Sequence, residues 1–410
     1  MFNRPSKQGF DIVIGNPPYI NVENIDVEIK NNISKFTTAY QKFDLYVLFY
    51  EVGLFLIRKH GILIFITSNK FLSQGYGMKL RQEFLKNTIN KIVNFNYDIF
   101  EAATVRTCIL EVSKKASKKD SVIDFININS IKEKEKFFNK NYSQIYQYVF
   151  DTTEENNFRL NLTTEKMAII HKIDSLSIKL DKICSVNYGL RPSSEKLGLK
   201  KEAFIHEHND NDKLVKYFEG KDMGYWLIDN THFLDYRPDV MYNAMFPELF
   251  ANKKLVGIRT LSDITKLRFI YDEEGYYCND STVILTLWYL FKNINYQTVK
   301  RTITNEKIEI SKKYSYPFLQ GILNSNIIKF YVNELMYDGT HFYPNHMKAL
   351  PIPIIKSSEE KPINDLVDQI LAAKKSDPSA DTSALESQID QLVYKLYNLT
   401  DEEIKIVEGK

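Results

Sequence analysis

The 410-residue sequence is poor in the residues that staple or kink small folds, with three cysteines, 15 glycines and 12 prolines. Cys108, Cys184 and Cys278 stand far apart with no Cys-x-x-Cys pair or histidine cluster near them, which argues against a disulfide framework or a zinc site and suits a reducing cytoplasm. Long apolar runs are missing as well. The most apolar stretch, Leu45 to Thr67, is interrupted by Glu51, Arg58, Lys59 and His60, so it is not a membrane span, and Met1 to Gly9 has no hydrophobic signal region. A soluble chain with no membrane partner is expected. Charge of one sign is not in excess, with 54 basic and 52 acidic residues. The distribution is uneven, however: residues 1–150 carry 21 basic and 14 acidic side chains, 151–355 carry 26 of each, and 356–410 carry 7 and 12. A basic first segment is compatible with a polyanionic partner, and equally with an ordinary lysine-rich solvated surface.

What is present is a globular composition, 44% hydrophobic and 26% charged, on a chain long enough for two or three domains. The first 130 residues alternate strand-like and helix-like patterns. Phe10 to Gly15 is a short apolar run stopped by Asn16-Pro17-Pro18, the pattern of a buried strand. Leu45, Leu48, Phe49, Val52, Phe55 and Leu56 recur at helical spacing, which predicts a helix over 42–59 ended by Gly61 at its C′ position. Further strands are expected at 62–66, 91–97, 107–112 and 122–128, with a helix at 76–87. This alternation indicates an α/β layer with a largely parallel sheet. A domain boundary is expected between 129 and 180, after which short β-like pieces at 255–258, 267–271 and 282–287 lack βα regularity. The last segment reads as a helical hairpin plus a short helix capped by Thr400 and Glu403. The expected division is 1–150, 151–355 and 356–410.

The sharpest chemical signal is Asn16-Pro17-Pro18-Tyr19, directly after a strand. Ligands in open α/β sheets bind beyond the carboxyl ends of strands. An amino group conjugated to an aromatic base is a poor nucleophile because its lone pair is delocalised. Two acceptors close together, the Asn16 side-chain carbonyl and the Pro17 main-chain carbonyl, bind both N–H bonds and favour a pyramidal nitrogen facing a methyl donor. Consecutive prolines fix φ and make that aim rigid. Tyr19 offers a π-face on which an extruded base stacks. The competing reading is a simple turn after a strand.

The surrounding residues extend the signal: Gly9-Phe10-Asp11-Ile12-Val13-Ile14-Gly15-Asn16-Pro17-Pro18-Tyr19-Ile20, Phe43-Asp44-Leu45-Tyr46, Gly61 to Thr67, Lys70-Phe71-Leu72 and Leu80-Arg81. With these the chain resembles the DNA adenine-N6 methyltransferases, most of all the TaqI-like enzymes and the type IIG restriction-modification proteins that contain such a half. Tyr188-Gly189-Leu190-Arg191, Phe218 to Asp222, Leu323-Asn324-Ser325 and Leu350 to Pro353 are similar to landmarks of the TaqI-like target-recognition domain. The resemblance implies a partial Rossmann-like methyltransferase sheet, an α+β recognition domain and a C-terminal helical hairpin. It also implies S-adenosylmethionine as cofactor, double-stranded DNA as partner, Phe100 packing against the extruded adenine, and Phe49 lining the cofactor's adenine ring beside Asn16. Phe49 equally fits its helix's apolar stripe, and Phe100 an ordinary loop.

One departure is marked. The glycine-rich loop for the methionine end of the cofactor and the acidic residue for its ribose lie upstream in this class, yet only fifteen residues precede Asn16, and Gly75-Tyr76-Gly77 matches a position unrelated to cofactor binding. The cofactor site is therefore expected to be incomplete and to need an upstream segment of the same enzyme or a partner chain. DNA contacts are expected among Arg191, Ser193, Ser194, Lys196, Lys200, Lys201, Lys221, Arg259 and the Gly339 to Tyr343 loop with His341. Alternatives are a non-catalytic DNA specificity module, or a protein-glutamine or RNA amino-methyltransferase; enzymes of the last kind lack a TaqI-like C-terminal domain.

Overall fold

The computed structural model describes residues 9–100, 105–118, 120–133, 135, 138–139, 142–152, 154–209, 213–336 and 342–410. The chain divides into two units, Met1–Ala168 and Ile169–Lys410. The first is built on a six-stranded sheet. Its elements are β1 (Phe10–Gly15), α1 (Val27–Ile33), α2 (Tyr46–Leu56), β2 (Ile57–Ser68), α3 (Met78–Leu85), β3 (Thr88–Asp98), β4 (Arg106–Ser113), β5 (Val122–Ile128) and β6 (Ser143–Tyr146). The strand order is β1-β2-β4-β3-β5-β6.

The sheet is mixed, which corrects the expectation of a largely parallel one. β1 pairs β2 and β3 pairs β5 in parallel, whereas β4 enters antiparallel between β2 and β3, and β6 is antiparallel to β5. The reason is the short passage from β3 to β4, which leaves no room for the crossover that a parallel neighbour requires.

The expected helix at 42–59 is shorter than its apolar stripe suggests. α2 ends at Leu56, and β2 starts at once at Ile57, which pairs with Phe10. Gly61 is consequently not a helix cap but a strand residue under a close crossing, where a Cβ would lie 2.8 Å from the Phe10 carbonyl oxygen. Arg58, outside the core, donates from Nε to Asp11 Oδ1 at 2.6 Å.

β1 pairs only with β2 among the described residues and forms the sheet's edge. α2 covers the face bearing Leu63 and Phe65, both close to Gly53. Ile12 and Ile14 are in register with Ile62 and Ile64 and share the opposite face. There Phe10, Ile12 and Ile14 are 57%, 58% and 75% exposed. The outer side of α2 exposes Phe49, Val52 and Phe55, spaced by three residues along one face.

The second unit centres on a four-stranded antiparallel sheet. Lys254–Ile258 lies between Phe269–Asp272 and Thr282–Leu287, and Cys184–Tyr188 follows outside the latter. A smaller sheet is formed by Ile205–His206, Val215–Phe218, His232–Leu234 and Tyr277–Cys278. Helices Ser357–Ser376, Ser383–Leu396 and Asp401–Val407 fold onto Tyr316–Asn324 and Asn326–Leu335, so 356–410 packs within this unit and does not stand apart. Thr400 and Glu403 cap the last helix reciprocally. All three cysteines are free and buried. No helix among the described residues is long and apolar enough to cross a membrane.

Candidate functional site

β1, β2 and β3 run in one direction, so the residues that follow them, Asn16, Asn69 and Phe100, leave the sheet on the same side. β3 is three strand positions from β1, which places these exits roughly 14 Å apart at the ends of that row. Asn16 is exposed, Pro17 is buried and Pro18 and Tyr19 are half-buried. The tetrapeptide is therefore anchored through its second residue and presents its first. Downstream, the Leu45 amide donates to the Ile20 carbonyl at 2.8 Å, the Val22 amide to the Phe43 carbonyl at 2.9 Å, and Asn21 Nδ2 to Asp44 Oδ1 at 3.3 Å. Tyr19 Oη donates to the Ile66 carbonyl at 3.1 Å. Burial pushes the Tyr19 phenol up to about 12, so it stays a donor at neutral pH.

Beneath this loop lies an aromatic platform that periodicity alone did not reveal. Tyr46 meets the Tyr19 ring edge-on with centroids 6.1 Å apart, and Tyr46, Tyr50, Phe71 and Phe84 continue the contact inward. Tyr46 and Tyr76 join through their hydroxyls at 2.6 Å. Gly75-Tyr76-Gly77 is thus a structural turn, tied down further by Arg81, whose Nη1 donates to the carbonyls of Phe71 at 2.6 Å and Gln74 at 2.8 Å. Burial lowers the Arg81 guanidinium to about 10.

A second feature missed in the sequence is an asparagine ladder at the carboxyl side of the sheet. Asn69 Nδ2 donates to Asn94 Oδ1 at 2.8 Å, Asn94 Nδ2 to Asn127 Oδ1 at 2.8 Å, and Asn96 Nδ2 to Asn129 Oδ1 at 2.8 Å. The alternate spacing of Asn94 and Asn96, and of Asn127 and Asn129, is the signal that marks it. Phe100, 36% exposed, lies two residues after β3, and Phe49, 44% exposed, projects from α2.

The expected DNA-contact residues of the second unit fall into different environments. Arg191 is exposed but paired with Asp280, its Nε and Nη2 donating to Oδ2 at 2.9 and 2.6 Å. Ser194 is 1% exposed and bridges backbone to Leu199, so it departs from the exposed set for a simple reason, the turn it closes. Ser193 is half-buried, and Lys196, Lys200 and Lys221 are exposed. Lys201 is held by Glu219 at 2.8 Å. Arg259 is half-buried, with its guanidinium over the rings of Tyr188 and Tyr343 at 5.1 and 5.7 Å. His341 lies outside the described residues. Gly189 is required where it stands, since a Cβ there would lie 2.1 Å from the Asn279 carbonyl oxygen.

Comparison with known proteins relates the first part of the chain to a described family. Residues 2–100 match the family described as Eco57I restriction-modification methylase. The match lies wholly within the first unit. The type II restriction enzyme and methyltransferase RM.Eco57I of Escherichia coli is 24% identical over 219 residues, 51% of this chain and 21% of that protein. RM.MjaORFECS2P of Methanocaldococcus jannaschii is 25% identical over 407 residues, 95% of this chain and 31% of the relative. The type II methyltransferase M.BstVI of Geobacillus stearothermophilus is 43% identical over 79 residues, 19% of this chain and 14% of that protein. The chain spans less than a third of the length of these three relatives. Among solved structures, the type IIL restriction-modification enzyme MmeI, determined in complex with DNA, superimposes with a TM-score of 0.60 at 11% identity, covering 97% of this chain and 56% of that one. The family match thus lies within the first unit, and the fold of nearly the whole chain recurs in a restriction-modification enzyme.

Proposed function

We propose that this chain is the catalytic-loop and DNA-recognition portion of a site-specific DNA adenine-N6 methyltransferase of a restriction-modification system. The observation that carries the reading is the Asn16-Pro17-Pro18-Tyr19 loop, with an exposed amide on a buried proline anchor at the carboxyl end of a parallel strand. Its chemistry is that of an acceptor pair. The Asn16 carbonyl and the Pro17 main-chain carbonyl take the two N–H bonds of an exocyclic amine, and the Tyr19 and Phe100 rings hold the base plane. Because Tyr19 is tethered to Ile66 and backed by Tyr46, the loop is set before substrate arrives, which is the condition for a large effect from one positioned polar group.

S-adenosylmethionine supplies an electrophilic methyl group when bound. Of this chain, Asn16 and the exposed Phe49 ring would hold it, and the solvent-facing row Phe49, Val52 and Phe55 beside the β1 edge suits an apolar adenine. The turn at Gly75 to Gly77 is occupied by Phe71, Tyr46 and Arg81 and is not a cradle for the methionine end. The site is one-sided, and the open β1 edge fits completion by an upstream segment or a partner chain. Residues 151–355 are assigned the reading of DNA, with the similarity to the DNA-bound MmeI fold in support.

The test is Asn16→Ala in the enzyme with its sheet completed. Methyl transfer to adenine, read by mass spectrometry of digested DNA, falls by about 100-fold or more while DNA affinity is unchanged. Near-normal turnover by the variant, or methylation at another base, overturns the assignment.

A further inference from the structure

The second unit contains a half-open cleft of about 340 Å³, which Tyr343 and, behind it, Arg259 join to the expected DNA contacts. It is lined by Asn187 and Tyr188 from the end of one strand, Met245 from a loop, and Tyr343, Asn345 and Lys348 from the segment around helix Pro344–Lys348. Its chemistry is unusual for a surface fold. Two aromatic rings, Tyr188 and Tyr343, are 38% and 37% exposed. They are held by a single cation, since the Arg259 guanidinium lies over both, and Arg259 is itself fixed by donation from Nη1 to the Asp280 carbonyl at 2.8 Å. Two amides point to hydrogen-bond reading. Asn187 spends one N–H on Ser185 Oγ at 2.7 Å, which leaves its carbonyl and second N–H, and Asn345 is exposed.

Met245 stands in the left-handed backbone region, with φ of +56°, its carbonyl accepting from Tyr236 Oη at 3.1 Å. A non-glycine residue held there costs free energy, and such residues concentrate at ligand-holding positions. Lys348 is the cation of the lining, and it is exposed.

We propose that the rim of this cleft faces the major-groove edge of one adenine–thymine pair of the bound DNA and that the exposed Asn345, assisted by Asn187, reads the adenine, with Lys348 on the adjoining phosphate. The inference rests on the reading that the chain acts on DNA. An asparagine amide offers one donor and one acceptor, which match adenine N7 and the N6 amino group in the major groove, whereas lysine contacts to phosphate carry no sequence information. The tyrosines and Arg259 form the rigid walls that fix the angle of approach.

The experiment is selection of the full chain on a random-sequence duplex library, followed by sequencing of the bound fraction. Wild type is expected to enrich a motif containing an adenine whose preference drops by about five- to hundred-fold in Asn345→Ala, all other positions being kept. Asn345→Asp, nearly the same shape but without the donor, shifts that one position toward cytosine. Lys348→Ala weakens binding to all sequences alike and lowers the salt dependence by about one phosphate contact. An unchanged motif in both Asn345 variants overturns the inference while leaving the DNA reading intact. Absence of any motif from wild type overturns the DNA reading and the inference with it.

Discussion

Two strands with similarly apolar sequences meet opposite fates in the two units. Thr282–Leu287 is buried at every position, as is Lys254–Ile258 beside it. β1 exposes Phe10, Asp11, Ile12 and Ile14. Composition does not separate them; neighbours do. Among the described residues Thr282–Leu287 has a strand on each side, and β1 has one. A continuous apolar run is the sequence of a strand covered on both faces, so β1 carries core residues at an open edge. Among the described residues the second unit covers its central strands on both sides, whereas β1 stays at an edge. Substitutions in each unit test that contrast.

The largest effect is expected where the second unit is most closed. Lys254 and Asp272 form an ion pair with side chains 0% and 1% exposed, and Lys254 Nζ also donates to the Phe250 carbonyl at 2.6 Å. Asp272 further accepts from the amides of Glu274, Gly275 and Tyr276. Asp272→Ala leaves a buried ammonium with one carbonyl and three amides without their acceptor, at a cost of about 3–5 kcal/mol. Lys254→Met leaves a carboxylate still holding three donors and costs less, about 1–3 kcal/mol. Urea denaturation of the chain followed by circular dichroism measures both. Equal losses would mean that the turn amides contribute nothing, and a small loss for Asp272→Ala would mean that water reaches this core.

Next in size is a pH effect in the same unit. Asp390, in helix Ser383–Leu396, accepts from the Asn326 amide at 2.8 Å and from Asn326 Nδ2 at 2.7 Å, yet burial outweighs these bonds and pushes its carboxyl up to about 6. The folded state therefore holds this proton more tightly than the unfolded chain, whose carboxyl has its ordinary value of 3.8. Stability from this group is greatest below about pH 4 and falls as pH rises to about 6, by on the order of 3 kcal/mol, after which it is level. Asp390→Asn removes the proton and flattens that window. Denaturation midpoints measured at pH 4, 5, 6 and 7 check it, and an identical pH slope in the variant would show that Asp390 is already wet.

What the residues disclosed in advance depended on how local each cause was. The strand at 122–128 was legible to the residue, because an apolar run between polar stops needs no partner to be recognised. The Asn16 to Tyr19 loop was legible for the same reason. Gly61 was misread because a helix stripe followed by glycine is also the pattern of a helix passing straight into a strand, and the deciding fact, the Phe10 carbonyl above it, comes from 51 residues away. The direction of β4 was hidden likewise, being a matter of pairing. At the candidate site, the tethering of Tyr19 to Ile66, the asparagine ladder from Asn69 to Asn127 and the burial of Arg81 all join residues distant in sequence. Arg191 and Ser194 were both plausible DNA contacts as residue types, and only Asp280 beside the one and the turn closed by the other distinguish them.

The smallest expected effect on stability bears most directly on the open edge. Ile14 is 75% exposed on the face of β1 opposite α2. Ile14→Lys removes little buried area, and its cost to the isolated chain should stay within about 0.5 kcal/mol, as for other exposed positions. Association is another matter, because a strand edge with an apolar face pairs with any strand presented to it, and a lysine there is the usual protection. Wild type should therefore self-associate with rising concentration in sedimentation velocity, while Ile14→Lys remains a single species with an unchanged denaturation midpoint. Phe55→Lys, on the outer side of α2 and 64% exposed, should act in the same direction without touching the strand. A loss of more than about 1 kcal/mol in Ile14→Lys would mean that β1 is already covered within the chain. Association equal to wild type would mean that the apolar face is not what draws copies together, and the contrast between the two units would lose its physical basis.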